Sequence, residues 1–300
     1  MSMYRKLVKL CLVAVISPSL MPAQSMASMD GGRIALFYES PKAGKVIDFV
    51  GDSTTEAAKG MYDRIAQQYA VPGGPLEGAT IRNRGDSGNT LNRFVNNIAA
   101  NGNTLDRVIR DKADLYVLSY GINDIRGSAD AAGSTMQQIK ADLKKAVDRL
   151  LQETNGFILL RIPNTFLSAN SSEYPYLSPI ENAQLCSDQL WEVYESFKGY
   201  SDRLDIIDIP SLVFGRTALP KHPLMQDILH PNEEGYRAIA NALVSRISGK
   251  SRDAGLSQGE AAPILELCKE NYAKETSQEG REHWHRMANE IRRLSGQQLE

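Results

Sequence analysis

Five short strand-like runs, most of them apolar, recur along the chain, and segments with helical spacing separate them. The runs cover 45–50 (K-V-I-D-F-V), 79–82, 114–120 (D-L-Y-V-L-S-Y), 156–162 (G-F-I-L-L-R-I, closed by Pro163) and 204–209. Ala57, Met61, Ile65 and Tyr69 give helical periodicity over 54–70, and Ile139, Leu143, Ala146, Val147 and Leu150 give it over 134–152. Further helices are expected over roughly 181–198 and 233–247. Strands that are apolar throughout are buried on both faces, and their alternation with amphipathic helices predicts a parallel sheet covered on both sides. The expected fold class is therefore α/β: a three-layer α/β/α sandwich around a five-stranded parallel sheet. Ligands of such sheets bind beyond the carboxyl ends of the strands, so chemistry should lie just after each apolar run.

Four segments stand out on that criterion. Gly51-Asp52-Ser53 follows the first strand and leads straight into a helix. A serine at such a turn is presented near the positive end of the helix, although Asp and Ser there also serve as ordinary N-caps. A second copy, Gly85-Asp86-Ser87, lies in an asparagine-rich polar stretch and reads as loop, which makes Ser53 the better nucleophile candidate. Gly121-Ile122-Asn123-Asp124 follows the third strand; its asparagine amide could face the group that Ser53 attacks, and the same residues suit a plain turn. Asp227-Ile228-Leu229-His230-Pro231-Asn232 precedes the last core helix. A serine nucleophile needs a base, and a base needs a carboxylate that fixes its tautomer. An Asp and a His three residues apart in a tight turn supply both. His222 has no comparable carboxylate beside it in sequence, and His283 and His285 lie in a charged tail.

Composition narrows the partners. Lys+Arg 34 against Asp+Glu 36 leaves a net charge of -2, without the basic excess that nucleic-acid binding requires. Four histidines leave little room for a multi-histidine metal site, and a serine mechanism needs neither metal nor cofactor. At the N-terminus, Arg5, Lys6 and Lys9 precede the apolar run Leu10–Ile16 and the break Ser17-Pro18-Ser19, with Ser25 and Ala27 before a cleavage point at Ser28. That order of signals predicts a secretory leader over 1–27, a linker over 28–44 and a secreted or periplasmic product. The run is well short of the ~20 residues of a membrane span, so no stable span is expected after cleavage. In an oxidising compartment Cys186 and Cys268 would be the cysteines left, either as one disulfide or as two separate buried thiols.

The four blocks, taken in order, resemble those of the SGNH hydrolases, the GDSL esterase/lipase family, over about 45–250. Gly51-Asp52-Ser53 is similar to the nucleophile block, Asn83 through Thr90 to the second block, Gly121-Ile122-Asn123-Asp124 to G-x-N-D, and Asp227 through His230 to D-x-x-H with its H-P-N-x-x-G-Y continuation. Thr54 stands where the family name places leucine. The resemblance implies a flavodoxin-like SGNH fold, with Ser53, His230 and Asp227 as catalytic residues. It implies an oxyanion hole formed by the N–H groups of Ser53 and Gly88 and the amide of Asn123.

Function follows as an expectation: a Ser-His-Asp esterase acting on acetyl or other short-acyl esters, on a small-molecule or glycan substrate. The polar stretch Asn164–Pro179, with Tyr174 and Tyr176, and Asn89, Asn92, Asn96 and Asn97 are candidates for a cleft that accepts sugar hydroxyls or for solvated loop. The alternatives are a lysophospholipase or thioesterase-type acyl hydrolase and, in a different class, a non-catalytic envelope-binding or assembly protein. Residues 251–300 form a helical extension, with Ile264, Leu267, Cys268 and Tyr272 on one helix and Trp284, Met287, Ile291 and Leu294 on another. It either packs on the core or serves as a partner or dimer contact.

Overall fold

The computed structural model describes residues 32–56, 65–99, 101–125, 134–164, 166–167, 177, 180–216, 218, 221–249, 258–274, 276 and 278–294. The leader over 1–27, residues Ala57 and Met61, and Tyr174 and Tyr176 lie outside them.

Five strands form one sheet: β1 (Val46–Gly51), β2 (Thr80–Gly85), β3 (Leu115–Ser119), β4 (Phe157–Arg161) and β5 (Leu204–Ile207). Their order is β2-β1-β3-β4-β5, and every pairing is parallel. This is the doubly wound, flavodoxin-like order, which reverses direction between β1 and β3 and opens a crevice there at the carboxyl edge.

Successive side chains of the central strands β1, β3 and β4 enter opposite cores, which is why these strands read as mainly apolar runs, whereas the edge strand β2 (T-I-R-N-R-G) is largely polar. Ile47, Phe49, Leu115, Val117, Leu159 and Ile207 pack into one core with the helices Gly32–Glu39 and Glu233–Ile247. Val50, Tyr116, Leu118, Ile158 and Leu160 pack into the other with the helices Ser134–Glu153 and Ile180–Glu195. The two layers of helix around one sheet are the α/β/α sandwich.

Three local features depart from the sequence reading. The expected linker over 28–44 contains the helix Gly32–Glu39, which buries Ile34, Phe37 and Tyr38. Its last carbonyls are held by the buried Lys42 ammonium, whose Nζ donates to Phe37 O at 2.9 Å, to Tyr38 O at 3.0 Å and to Ser40 O. This is a C-terminal cap supplied from beyond the helix. In the expected helix over 54–70, the described residues give a turn through Glu56 and a π-helical turn at Ile65–Tyr69. The Gly121–Asp124 block is a short helix from Ile122 to Ile125 rather than a bare turn.

The C-terminal residues form helices Gln258–Lys274 and Gln278–Leu294, packed on one another. Leu265, Cys268, Ala288 and Ile291 are buried in the first core, and Trp284 packs against it. The extension is therefore part of the folded core. Cys268 belongs to that core and Cys186 to the one on the opposite face; both are free, buried thiols. Burial pushes each up to about 11. Among the described residues no helix is long and apolar enough to cross a membrane.

Candidate active site

The two Gly-Asp-Ser copies are neighbours in space. Gly51 and Gly85 are register partners at the ends of β1 and β2, and Asp86 N–H donates to Gly51 O at 3.0 Å. At Gly51 the chain must pass close to β3: a Cβ there would sit 2.3 Å from Thr55 Oγ1 and 2.6 Å from Ser119 O. Immediately beyond it, Asp52 closes a turn, its Oδ1 accepting Thr54 N–H at 2.9 Å and its carbonyl accepting Thr55 and Glu56 N–H at 3.0 and 3.1 Å. This is the aspartate's capping chemistry, and it leaves Ser53 at the apex, 6% exposed. Ser87 is exposed, whereas Ser53 Oγ lies 2.9 Å from His230 Nε2.

His230 is held by its own loop. Asp227 Oδ2 and Oδ1 lie 2.8 and 3.1 Å from His230 Nδ1, and Oδ1 also accepts the N–H groups of Leu229 and His230 at 2.8 and 2.7 Å. Burial alone would push the Asp227 carboxyl up. The imidazole and the two backbone donors outweigh it and hold the group down at about 2. The loop is closed by a bridge between Met225 and Pro231, and Asn164 Nδ2 donates to Leu229 O at 2.9 Å, docking it on the end of β4. Asn232 then caps the next helix, its Oδ1 accepting Gly235 N–H at 3.0 Å. His222 plays a different part. Its Nδ1 accepts Leu224 N–H at 3.1 Å, so Nε2 carries the hydrogen and donates to Phe214 O at 2.9 Å.

The remaining candidates come from the ends of β2 and β3. Gly88 has φ +73°, the left-handed region that favours glycine, and is exposed in the loop that leads to Thr90, the N-cap of the helix Leu91–Val95. Asn123 Nδ2 donates to Asn89 O at 3.0 Å, so its amide is tied to the residue after Gly88. Asp124 accepts Leu91 N–H at 3.0 Å and Asn92 N–H at 3.3 Å. Burial pushes its carboxyl up to about 6 against the pull of those donors. The G-x-N-D block thus clamps the Gly88 loop twice, once through each polar side chain.

Two residues that support this arrangement carried no role in the sequence reading. Tyr194, fully buried, accepts Tyr120 N–H and donates to Tyr120 O, both at 2.8 Å, and so fixes the chain between β3 and Gly121. Nothing local marks a helical tyrosine for that task. Arg161 ends β4 fully buried, with Nη2 donating to Thr54 Oγ1 at 3.2 Å. A charged residue inside the run G-F-I-L-L-R-I was the signal for it.

The asparagines proposed for a sugar cleft are engaged within the protein. Asn92 Nδ2 donates to Asp142 Oδ2 at 3.0 Å, Asn96 Oδ1 accepts from Lys145 Nζ at 2.9 Å, and Asn97 Oδ1 accepts Asp106 N–H at 2.9 Å. Asn89 is 2% exposed, its amide 3.5 Å from Tyr120 Oη. Asn92, Asn96 and Asn97 thus tie their segment to neighbouring helices, Asn96 and Asn97 from exposed positions, whereas Asn89 is buried.

Serine, histidine and aspartate in hydrogen-bonded series, at the carboxyl edge of a doubly wound parallel sheet, define the class: an α/β/α hydrolase. The chain belongs to the GDSL-like lipase/acylhydrolase family, whose sequence model matches residues 49–238. No curated protein sequence matches it. Among solved structures, it is similar to a GDSL-like lipase from Bacteroides thetaiotaomicron (18% identity, 73% of this chain and 95% of that one, TM-score 0.46). It is also similar to a lipase/acylhydrolase from Enterococcus faecalis (19%, 69% and 96%, 0.43) and a carbohydrate acetylesterase from Sinorhizobium meliloti (14%, 68% and 99%, 0.48).

Proposed function

We propose that this GDSL-family hydrolase is a serine esterase that cleaves acetyl or other short-acyl esters of a carbohydrate outside the cytoplasm. The observation that carries the chemistry is the unbroken line from Ser53 Oγ through His230 to Asp227. Ser53 Oγ attacks the ester carbonyl while His230 Nε2 takes its proton, and Asp227 holds Nδ1–H and balances the imidazolium charge. The tetrahedral oxyanion is received by the N–H groups of Ser53 and Gly88 and by the second amide hydrogen of Asn123. The imidazolium returns the proton to the leaving alcohol oxygen, the acyl–oxygen bond breaks, and water activated by the same imidazole releases the acid.

The short-acyl, carbohydrate and extracytoplasmic parts of this reading rest on sequence: the leader-like segment 1–27 and the Ser-, Asn- and Tyr-rich stretch 164–179. The test is a substrate panel of acetylated glycans, p-nitrophenyl esters of increasing chain length and lysophospholipids, each run with Ser53→Ala. Turnover that falls with acyl length and is lost in Ser53→Ala supports the reading. Preference for long chains or lysophospholipids overturns the substrate class, and full activity in Ser53→Ala overturns the nucleophile.

A further inference from the structure

Directly beneath the nucleophile turn lies a charged layer that no step of acyl transfer requires. Arg161 is fully buried on the same face of the sheet as Val117 and Leu159, under the turn that carries Ser53. Its Nη2 donates to Thr54 Oγ1, and Thr54 Oγ1 in turn donates to Asp52 Oδ1 at 2.9 Å. Asp52 is 1% exposed; burial pushes its carboxyl up while the Thr54 bonds and the Arg161 charge draw it down, so a buried cation and a buried carboxyl are joined through one hydroxyl. Among the described residues, Nε and Nη1 of Arg161 make no hydrogen bond, and the hydroxyl of Tyr236 nearby is likewise unpartnered.

A guanidinium in that setting is costly, because most of its donors give up water without replacement. Replacing it by an apolar residue would remove that cost and leave a worse problem. Asp52 would lose the cation that offsets the burial of its carboxyl, one residue from the atom at which negative charge develops during attack. In a low-dielectric interior repulsion from the ionised form of that carboxyl acts on the transition state much more than on a neutral bound ester. The bridging hydroxyl adds geometry. Threonine is stiff at χ1, and its Oγ1 both accepts from Arg161 and donates to Asp52, so the turn is held from below as well as by its own backbone. Leucine, which gives the family its name at this position, could do neither.

We propose that Arg161 is a positioning residue for Ser53: acting through Thr54, it holds the Asp52–Ser53–Thr54 turn and offsets the Asp52 carboxyl behind the oxyanion site. The inference rests on the Ser53 acyl-transfer reading. Its test compares kcat and KM on p-nitrophenyl acetate, per active site titrated with a fluorophosphonate, for Thr54→Val, Thr54→Ser, Arg161→Met and Arg161→Met/Asp52→Asn. Thr54→Val is expected to lower kcat at least tenfold with KM changed less than threefold, and Thr54→Ser to recover most of that loss by restoring the hydroxyl. Arg161→Met should lose more than Thr54→Val, and adding Asp52→Asn should regain at least fivefold by removing the carboxyl left without its cation. If Arg161→Met does not fold, the threonine pair decides. A folded Thr54→Val with kcat within twofold of the parent, or equal losses in the valine and serine variants, overturns the proposal. Ser53→Ala separates the two failures: activity in that variant sinks the nucleophile assignment itself, whereas an inactive Ser53→Ala beside a fully active Thr54→Val sinks this inference alone.

Discussion

Asp227 and His230 meet three residues apart within one closed loop, with Nδ1 2.8 Å from Oδ2, while the other carboxylate oxygen is occupied by two backbone N–H groups of the same loop. The carboxylate therefore does two jobs. It shapes the turn that aims the imidazole, and it fixes the tautomer that leaves Nε2 facing Ser53. The sequence-distant contact in the site, Ser53 to His230, depends on both.

Asp227→Asn should preserve the loop in part, since the amide oxygen still accepts from Leu229 and His230. The amide N–H₂ cannot accept Nδ1–H, so the ring is driven to the wrong tautomer. A fall in kcat of roughly 10³- to 10⁴-fold is expected. Steady-state kinetics with a thermal-denaturation control checks it; a loss below tenfold would show that another group orients His230.

Asp227 also links stability to acid. Its folded value of about 2 lies below the ordinary 3.8, so the folded state binds fewer protons than the unfolded chain between them. The contribution is present above pH ~4 and is lost as pH falls through ~2. The side chain is 48% exposed, so solvent screening should keep it to about 1 kcal/mol or less. Denaturant midpoints of the parent and Asp227→Ala should converge as pH drops from 5 to 2.5.

Asp124 has the opposite sign. Its carboxyl is pushed up to about 6, so the folded state binds more protons than the unfolded chain between 3.8 and that value. Its protonated form supports the fold fully below pH ~4, and that support is lost as pH rises through ~6, by at most about 3 kcal/mol. Asp124→Asn cannot titrate. The stability deficit of the variant relative to the parent should therefore be larger at pH 4 than at pH 7, measured by urea denaturation across that range. A deficit that is constant with pH would place the folded carboxyl near its ordinary range.

On the proposed mechanism, Asn123→Ala removes an oxyanion donor together with the tie to Asn89 O. A loss of about 3–4 kcal/mol in transition-state stabilisation, ~100- to 1000-fold in kcat, is expected with KM little changed. A change confined to KM would instead assign Asn123 to ground-state binding.

The C-terminal helices carry their own prediction. Ile291 is fully buried in the first core, so Ile291→Ala should cost about 2–5 kcal/mol. Truncation at Ser251 should lower the melting temperature more, without first changing the state of association. A stable truncated monomer would show that the helices contribute little to the core.

Much of this protein is written locally. The central strands follow from mainly apolar runs, and the parallel sheet follows from their alternation with amphipathic helices. The Asp227–His230 pair is local because three residues of turn bring the side chains together. Other features are set by distance in the chain. The helix Gly32–Glu39 has too short a pattern to announce itself, and it exists because Ile34, Phe37 and Tyr38 find a core and Lys42 caps its carbonyls. Asn92, Asn96 and Asn97 bond to helices far along the chain, contacts that no local pattern announces. Cys186 and Cys268 look pairable until the sheet separates them onto opposite faces. Sequence determined the sheet, its covering helices and the chemistry available at the strand ends, because periodicity and turn chemistry act over a few residues. Tertiary structure alone decided that Ser53 meets His230 across 177 positions, and that Arg161 lies buried beneath them, because the strand order places the ends of β1, β3 and β4 at one edge of the sheet.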